Sequence, residues 1–117
     1  MSYMYTLNDD NIPEPCFDMQ VWAKKHEERR HVQDHLIATG VEHIRVSTVF
    51  LGIDHSPTPF FLLPDPIAEA DRKPLLFETT VFGGEYNGLQ LRCCTYDEAL
   101  AQHDIVLQKV KYAAKDN

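Results

Sequence analysis

Ile44-Arg45-Val46-Ser47-Thr48-Val49-Phe50-Leu51 is the run of the chain richest in β-branched residues, with an aromatic residue among them. Such side chains fit a pleated, half-buried surface, and the pattern predicts a strand over residues 42–53. Successive side chains of a strand point to opposite faces, so Val46, Thr48 and Phe50 share one face while Val49, Leu51 and Ile53 share the other. Both sets are largely apolar. The strand is therefore expected to be central and covered on both sides.

Working outward, residues 31–37 read as a preceding strand, joined through the turn Ala38-Thr39-Gly40. Residues 75–82 and 88–94 read as two more strands, and Gly83-Gly84-Glu85-Tyr86-Asn87-Gly88 between them supplies the turn of a hairpin. Thr95-Tyr96-Asp97-Glu98 is a capping box, in which the Thr95 hydroxyl and the Glu98 carboxylate exchange hydrogen bonds with each other's amides. The helix that follows places Ala99, His103, Val106, Val110 and Ala113 on one stripe, flanked by Leu100 and Leu107, and this stripe needs a surface to bury it.

Toward the N-terminus, Asp18 can cap a helix over residues 17–29, with Met19, Trp22, Ala23 and His26 at helical spacing and Trp22 as the core anchor. Residues 1–16 are dense in Asn, Asp and Pro, which argues against regular structure beyond a short strand at residues 3–7. The expected fold class is α+β: a small, mostly antiparallel four-stranded sheet with an N-terminal and a C-terminal helix packed on it. Residues 1–117 form a single domain, interrupted by a proline-rich insert at residues 56–74 that holds five of the seven prolines. Phe60-Phe61-Leu62-Leu63 in this insert is the longest apolar run of the chain and needs a cover. Its prolines lower the entropy lost on docking, so Phe60, Phe61, Leu62 and Leu63 are the candidate binding residues, with a second copy of the chain as the expected partner.

Eleven basic and eighteen acidic residues leave a net charge of −7, which repels a phosphate backbone and argues against direct nucleic-acid binding. Lys24, Lys25, Arg29 and Arg30 are interleaved with Glu27 and Glu28 and read as a solvated helix face. No apolar run approaches the ~20 residues of a membrane-spanning helix. Residues 1–18 carry four acids and no Lys or Arg, unlike a secretory leader, so a cytoplasmic location is expected. The three cysteines, Cys16, Cys93 and Cys94, form no C-x-x-C pair and fit free thiols in a reducing compartment.

Three segments together resemble a group of small, uncharacterised bacteriophage and prophage proteins. They are Val46 to His55 (V-S-T-V-F-L-G-x-D-H), Pro74 to Gly84 (L-L-F-E-T-x-V-F-G-G), and Arg92 to Thr95 with Glu98, Ala99 and His103. The likeness spans residues 44–55 and 74–104. The chain departs from the pattern in its insert, where relatives have a short glycine-rich link, and at Cys93, where a tyrosine is expected. The resemblance implies a bacterial host cell and no particular activity.

The chemistry-bearing residues admit few constellations. Asp54, His55, Glu78 and His103 could converge as ligands of a small metal-dependent hydrolase, although their spacing matches no metal motif. The competing reading has Asp54 closing a turn and Glu78 paired with His103 as structural partners. Ser47 lacks a nucleophile elbow, and Cys93 and Cys94 adjoin Arg92, which could lower a thiol pKa, but sit where core residues are expected. The expected function is accordingly a non-enzymatic protein-binding module without a cofactor, bound to itself or to a host protein and not to a membrane. An acidic protein of this kind can occupy the basic nucleic-acid groove of a host enzyme, and so inhibit host defence or replication; a minor virion component is a third class.

Overall fold

The computed structural model describes residues 4–38, 42–54 and 74–115. In chain order the elements are β1 (Tyr5–Leu7), β2 (Pro13–Pro15), α1 (Met19–Arg29), β3 (His31–Ala38), β4 (His43–Phe50), β5 (Phe77–Phe82), β6 (Gln90–Cys93) and α2 (Tyr96–Lys115). The fold is α+β. Strands β3-β4-β5-β6 form an antiparallel sheet in sequence order, and β1 and β2 form a separate ribbon.

The register sorts the side chains. Val46 lies opposite Val81, Thr48 opposite Thr79 and Phe50 opposite Phe77, which places all six on the face that α2 crosses. His35 and Ile37 of β3 join them through their partners Val46 and Ile44. The stripe expected on α2 is the buried one: Ala99, His103, Val106, Leu107 and Val110 are at most 5% exposed. Each apolar side chain so buried contributes about 1.5–3 kcal/mol. Two clusters result. Tyr5, Leu7, Phe50, Leu76, Phe77 and Ala99 fill one end, where the Phe50 and Phe77 rings lie 5.2 Å apart. Ile44, Val46, Val81, Val106, Leu107 and Val110 fill the other.

Three expectations need correction. Strand β4 ends at Phe50 instead of residue 53, because Gly52 turns the chain aside at φ 75° and Ile53 bridges Met4. Residues 8–12 are indeed turn formers, with the Asn8 carboxamide accepting from the Asp10 and Ile12 amides, but they close a ribbon whose return strand is the proline-flanked β2. The sheet is not covered on both sides by the described residues: opposite α2, Leu36 is 68% and Phe82 51% exposed.

Helix α1 is capped by Asp18, whose carboxylate accepts from the Gln20 and Val21 amides. It is short, contains no buried residue and lies beside β1. Trp22 is half-buried and donates its Nε1–H to the Gly52 carbonyl at 3.1 Å, so it anchors the helix to the end of the sheet without entering the core. The His26 ring stacks on it at 4.7 Å and reaches Phe50 at 6.1 Å. No described helix is long and apolar enough to cross a membrane. The residues Phe60, Phe61, Leu62 and Leu63, and the dimer contact expected of them, lie outside the described residues.

Candidate functional site

Between the two apolar clusters runs a row of buried polar side chains. His103 is 1% exposed, Thr48 0% and Thr79 1%. The Thr48 hydroxyl is 2.7 Å from His103 Nδ1 and 2.7 Å from the Thr79 hydroxyl. His103 Nε2 meets His35 Nδ1 at 2.8 Å, and His35 lies on the exposed edge strand β3. Gln102 Nε2 closes the other end, donating to Thr79 Oγ1 at 3.1 Å and to the Leu91 carbonyl at 3.0 Å.

Proton counting gives this chain a direction. The Leu91 carbonyl can only accept, so Gln102 donates to both of its partners. The Thr79 hydroxyl then has one proton left to give, and Thr48 is there to take it. Thr48 in turn donates to His103 Nδ1, and His103 Nε2–H donates to His35 Nδ1. In the opposite direction the buried Thr79 proton would have no acceptor in the row, at a cost of roughly 1–3 kcal/mol. Burial pushes the His103 pKa below its ordinary value and the neighbouring His35 pushes it further, while Asp34 and Asp104 oppose them.

This row is a structural seam. A catalytic threonine must reach substrate, and both hydroxyls here are sealed beneath α2. Other nucleophile candidates fare no better. Ser47 is 7% exposed in mid-strand. Burial, then the charges of Glu98 and Cys94, push the Cys93 thiol up to about 11. Arg92, the group that could have lowered it, is held by Glu78 at 2.9 Å on the opposite face of the sheet.

The expected pairing of Glu78 with His103 is overturned by strand parity. Thr79 faces α2, so its neighbour Glu78 faces away, where it also accepts from the Thr80 hydroxyl at 3.1 Å. Glu78 and His103 therefore lie on opposite sides of the sheet. Asp54 is 8% exposed and its carboxylate accepts the Leu75 amide at 3.0 Å, drawing together the two ends of the insert. His55 lies outside the described residues. Among the described residues, no group of three or more His, Cys, Asp or Glu side chains is placed to hold a metal ion.

The face opposite α2 carries a different set. Leu36, Arg45 and Phe82 form one row across β3, β4 and β5. Asp34 holds Arg45 through both carboxylate oxygens, at 2.6 Å to Nη2 and 2.9 Å to Nε. The guanidinium lies over the Phe82 ring, 6.0 Å from its centroid. Arg45 is thus fixed in place while its row stays open to solvent. Sequence reading did not single out these residues. The signal was the parity of Arg45, which alternates with the buried Ile44, Val46 and Phe50, with Leu36 and Phe82 on its neighbours. On the α2 side, a groove of about 490 Å³ between β6 and α2 is lined by Leu91, Cys93, Ala101 and Ile105. No family model, no curated protein and no solved structure matches the chain, so the functional reading stands on these residues themselves.

Proposed function

We propose that the chain is a non-enzymatic protein-binding module that engages its partner through the open face of the sheet. The observation that carries this reading is the exposed row Leu36–Arg45–Phe82, with two large apolar side chains flanking an arginine already fixed by Asp34 and Phe82. Arginine and aromatic side chains dominate the energetics of protein interfaces, and a side chain held in its bound position loses less entropy on docking. The resemblance to phage and prophage proteins read in the sequence supports a protein of the bacterial host as partner, beside a second copy of this chain. The net charge of −7 suits a partner with a basic surface, such as the nucleic-acid groove of a host enzyme, which the module would block.

Leu36→Ser combined with Phe82→Ser tests the reading. The variant should keep its circular dichroism spectrum and lose at least about tenfold in affinity, the equivalent of 1.4 kcal/mol, for the host protein retained by the wild type or for itself. Ile105→Ser, in the groove beside β6, should leave binding intact. Loss of binding in Ile105→Ser alone would move the docking surface to that groove. Stoichiometric zinc or manganese with chelator-sensitive turnover would replace the reading by the hydrolase.

A further inference from the structure

Strand β3 is an edge strand with no buried residue. Toward α2 it offers Val32, packed on one apolar cluster, Ile37, packed on the other, and His35 between them. The His35–His103 bond is thus its polar attachment to the helix. That bond contains one proton, because two ring nitrogens 2.8 Å apart hold one N–H facing one lone pair.

Neither basic nitrogen of the pair is idle. His103 Nδ1 accepts from Thr48 and His35 Nδ1 accepts from His103. A first added proton therefore leaves the bond intact only if the Thr48 hydroxyl reverses and turns its proton toward that of Thr79, in a site without water access. A second proton sets two N–H groups against each other, and the bond cannot survive. We propose that the His35–His103 pair is a proton-sensitive latch, which ties β3 to α2 while neutral and releases the strand when both rings are charged.

The charges around the latch are few. From β3 come Asp34 and, at the strand start, His31; from β4 comes Arg45, which already engages Asp34; from α2 itself comes Asp104. The groups met on β4 and β5 in the seam are the uncharged Thr48 and Thr79. Asp34 and Asp104 favour the charged form of His103, while burial and His35 disfavour it. Asp34 neighbours His35 on the same strand and fixes Arg45 on the opposite face. The ladder to β4 still holds β3 when the latch opens, so the Asp34–Arg45 pair and the Leu36–Arg45–Phe82 row loosen only where β3 frays from β4, a consequence for binding that rests on the function proposed above.

Amide hydrogen exchange of the free protein between pH 7.5 and 5.0 tests the latch. After correction for intrinsic rates, β3 amides should lose protection by about tenfold per pH unit for each proton taken up, while β4 and β5 keep theirs. His35→Asn places a carboxamide oxygen where Nδ1 stood, so it still accepts from His103, and β3 should stay protected at pH 5.0. Unchanged β3 protection in the wild type overturns the latch, and so does equal loss across the whole sheet. Should His35→Asn fail to fold, ring ¹⁵N signals of the wild type decide: two imidazolium rings with β3 still protected also overturn it. Because no partner is present, these outcomes stand apart from the docking experiment, and the Arg45 Nε–H signal reports separately whether the open face is rearranged.

Discussion

The two helices begin alike and end differently. Each starts at a side-chain cap, Asp18 for α1 and the reciprocal Thr95–Glu98 pair for α2. Each carries a histidine at a contact with the sheet. Yet α1 buries no residue, while α2 sets a stripe from Ala99 to Val110 against four strands. A cap decides where a helix begins; a continuous apolar stripe decides whether it becomes part of the core. The stripe of α1 is short, with Met19 66% exposed and Trp22 and His26 only half-buried, and the helix is held by Trp22 on the Gly52 carbonyl and Arg29 on the Asn8 carbonyl.

This contrast breaks most visibly in the core. Leu107→Ala in α2 should destabilise the protein by about 2–5 kcal/mol, through lost burial plus a cavity. Val21→Ala in α1 should stay within about 0.5 kcal/mol, as for an exposed position. Urea midpoints of the two variants, at unchanged slope, measure the difference; similar losses would mean that α1 is a core helix after all.

Gly52 is where α1 is most vulnerable. A Cβ there would sit 2.8 Å from His26 Nδ1 and 2.9 Å from Trp22 Nε1, at a backbone φ of +75°. Gly52→Ala should therefore cost on the order of 2 kcal/mol in strain and displace the tryptophan. A red shift of Trp22 fluorescence before global unfolding is the expected signature, and a wild-type spectrum and midpoint would refute it.

Acid should reach both helices through their histidines. Burial lowers the pKa of His26, with Arg30 adding to the effect, and burial followed by His35 lowers that of His103. The unfolded chain, with histidines near 6.5, then binds more protons than the folded one as the pH falls below that value. Stability is full above about pH 6.5 and declines through the window below it, by at most about 1.4 kcal/mol per pH unit for each proton. Among the described residues His26 Nδ1 is buried without a hydrogen-bond partner, so His26→Phe should flatten this decline. A midpoint that holds constant from pH 7 to 5 would contradict both histidines.

The caps provide the smallest expected effect and the closest comparison. Thr95→Ala and Asp18→Ala each remove a side-chain acceptor from helix-start amides, worth about 1 kcal/mol. In α2 the loss should appear in global stability, because that helix holds the core together. In α1 it should appear mainly as faster local exchange of the Gln20 and Val21 amides. Equal global losses would erase the distinction.

What could be read from the sequence follows the same physics. The β-branched run of β4, the glycine-rich hairpin turn, both caps and the α2 stripe are local patterns, and the structure realises each. The ribbon strand β2 was hidden because Pro-Glu-Pro has no strand propensity and is held by pairing with Tyr5 to Leu7. The end of β4 was hidden because the apolar run continues past Gly52, where only the backbone angle changes. His103 was visible on its stripe, whereas His35 looked like one more polar residue of an exposed strand; their contact spans 68 positions and no local pattern encodes it. The supposed Glu78–His103 pair could have been rejected from parity alone, since Phe77, Thr79 and Val81 define the buried face and Glu78 alternates with them.

The hydrogen bond between Asp54 and the Leu75 amide also fixes how far apart the ends of the intervening chain lie. With Asp54 and Leu75 held together, the entropy of closing the chain between them changes by only about 0.6 kcal/mol for each doubling of its length. By closure entropy alone, a link half or twice as long would alter stability by less than about 1 kcal/mol. The constraint on this connection is therefore the short span between Asp54 and Leu75, not the number of residues that cross it.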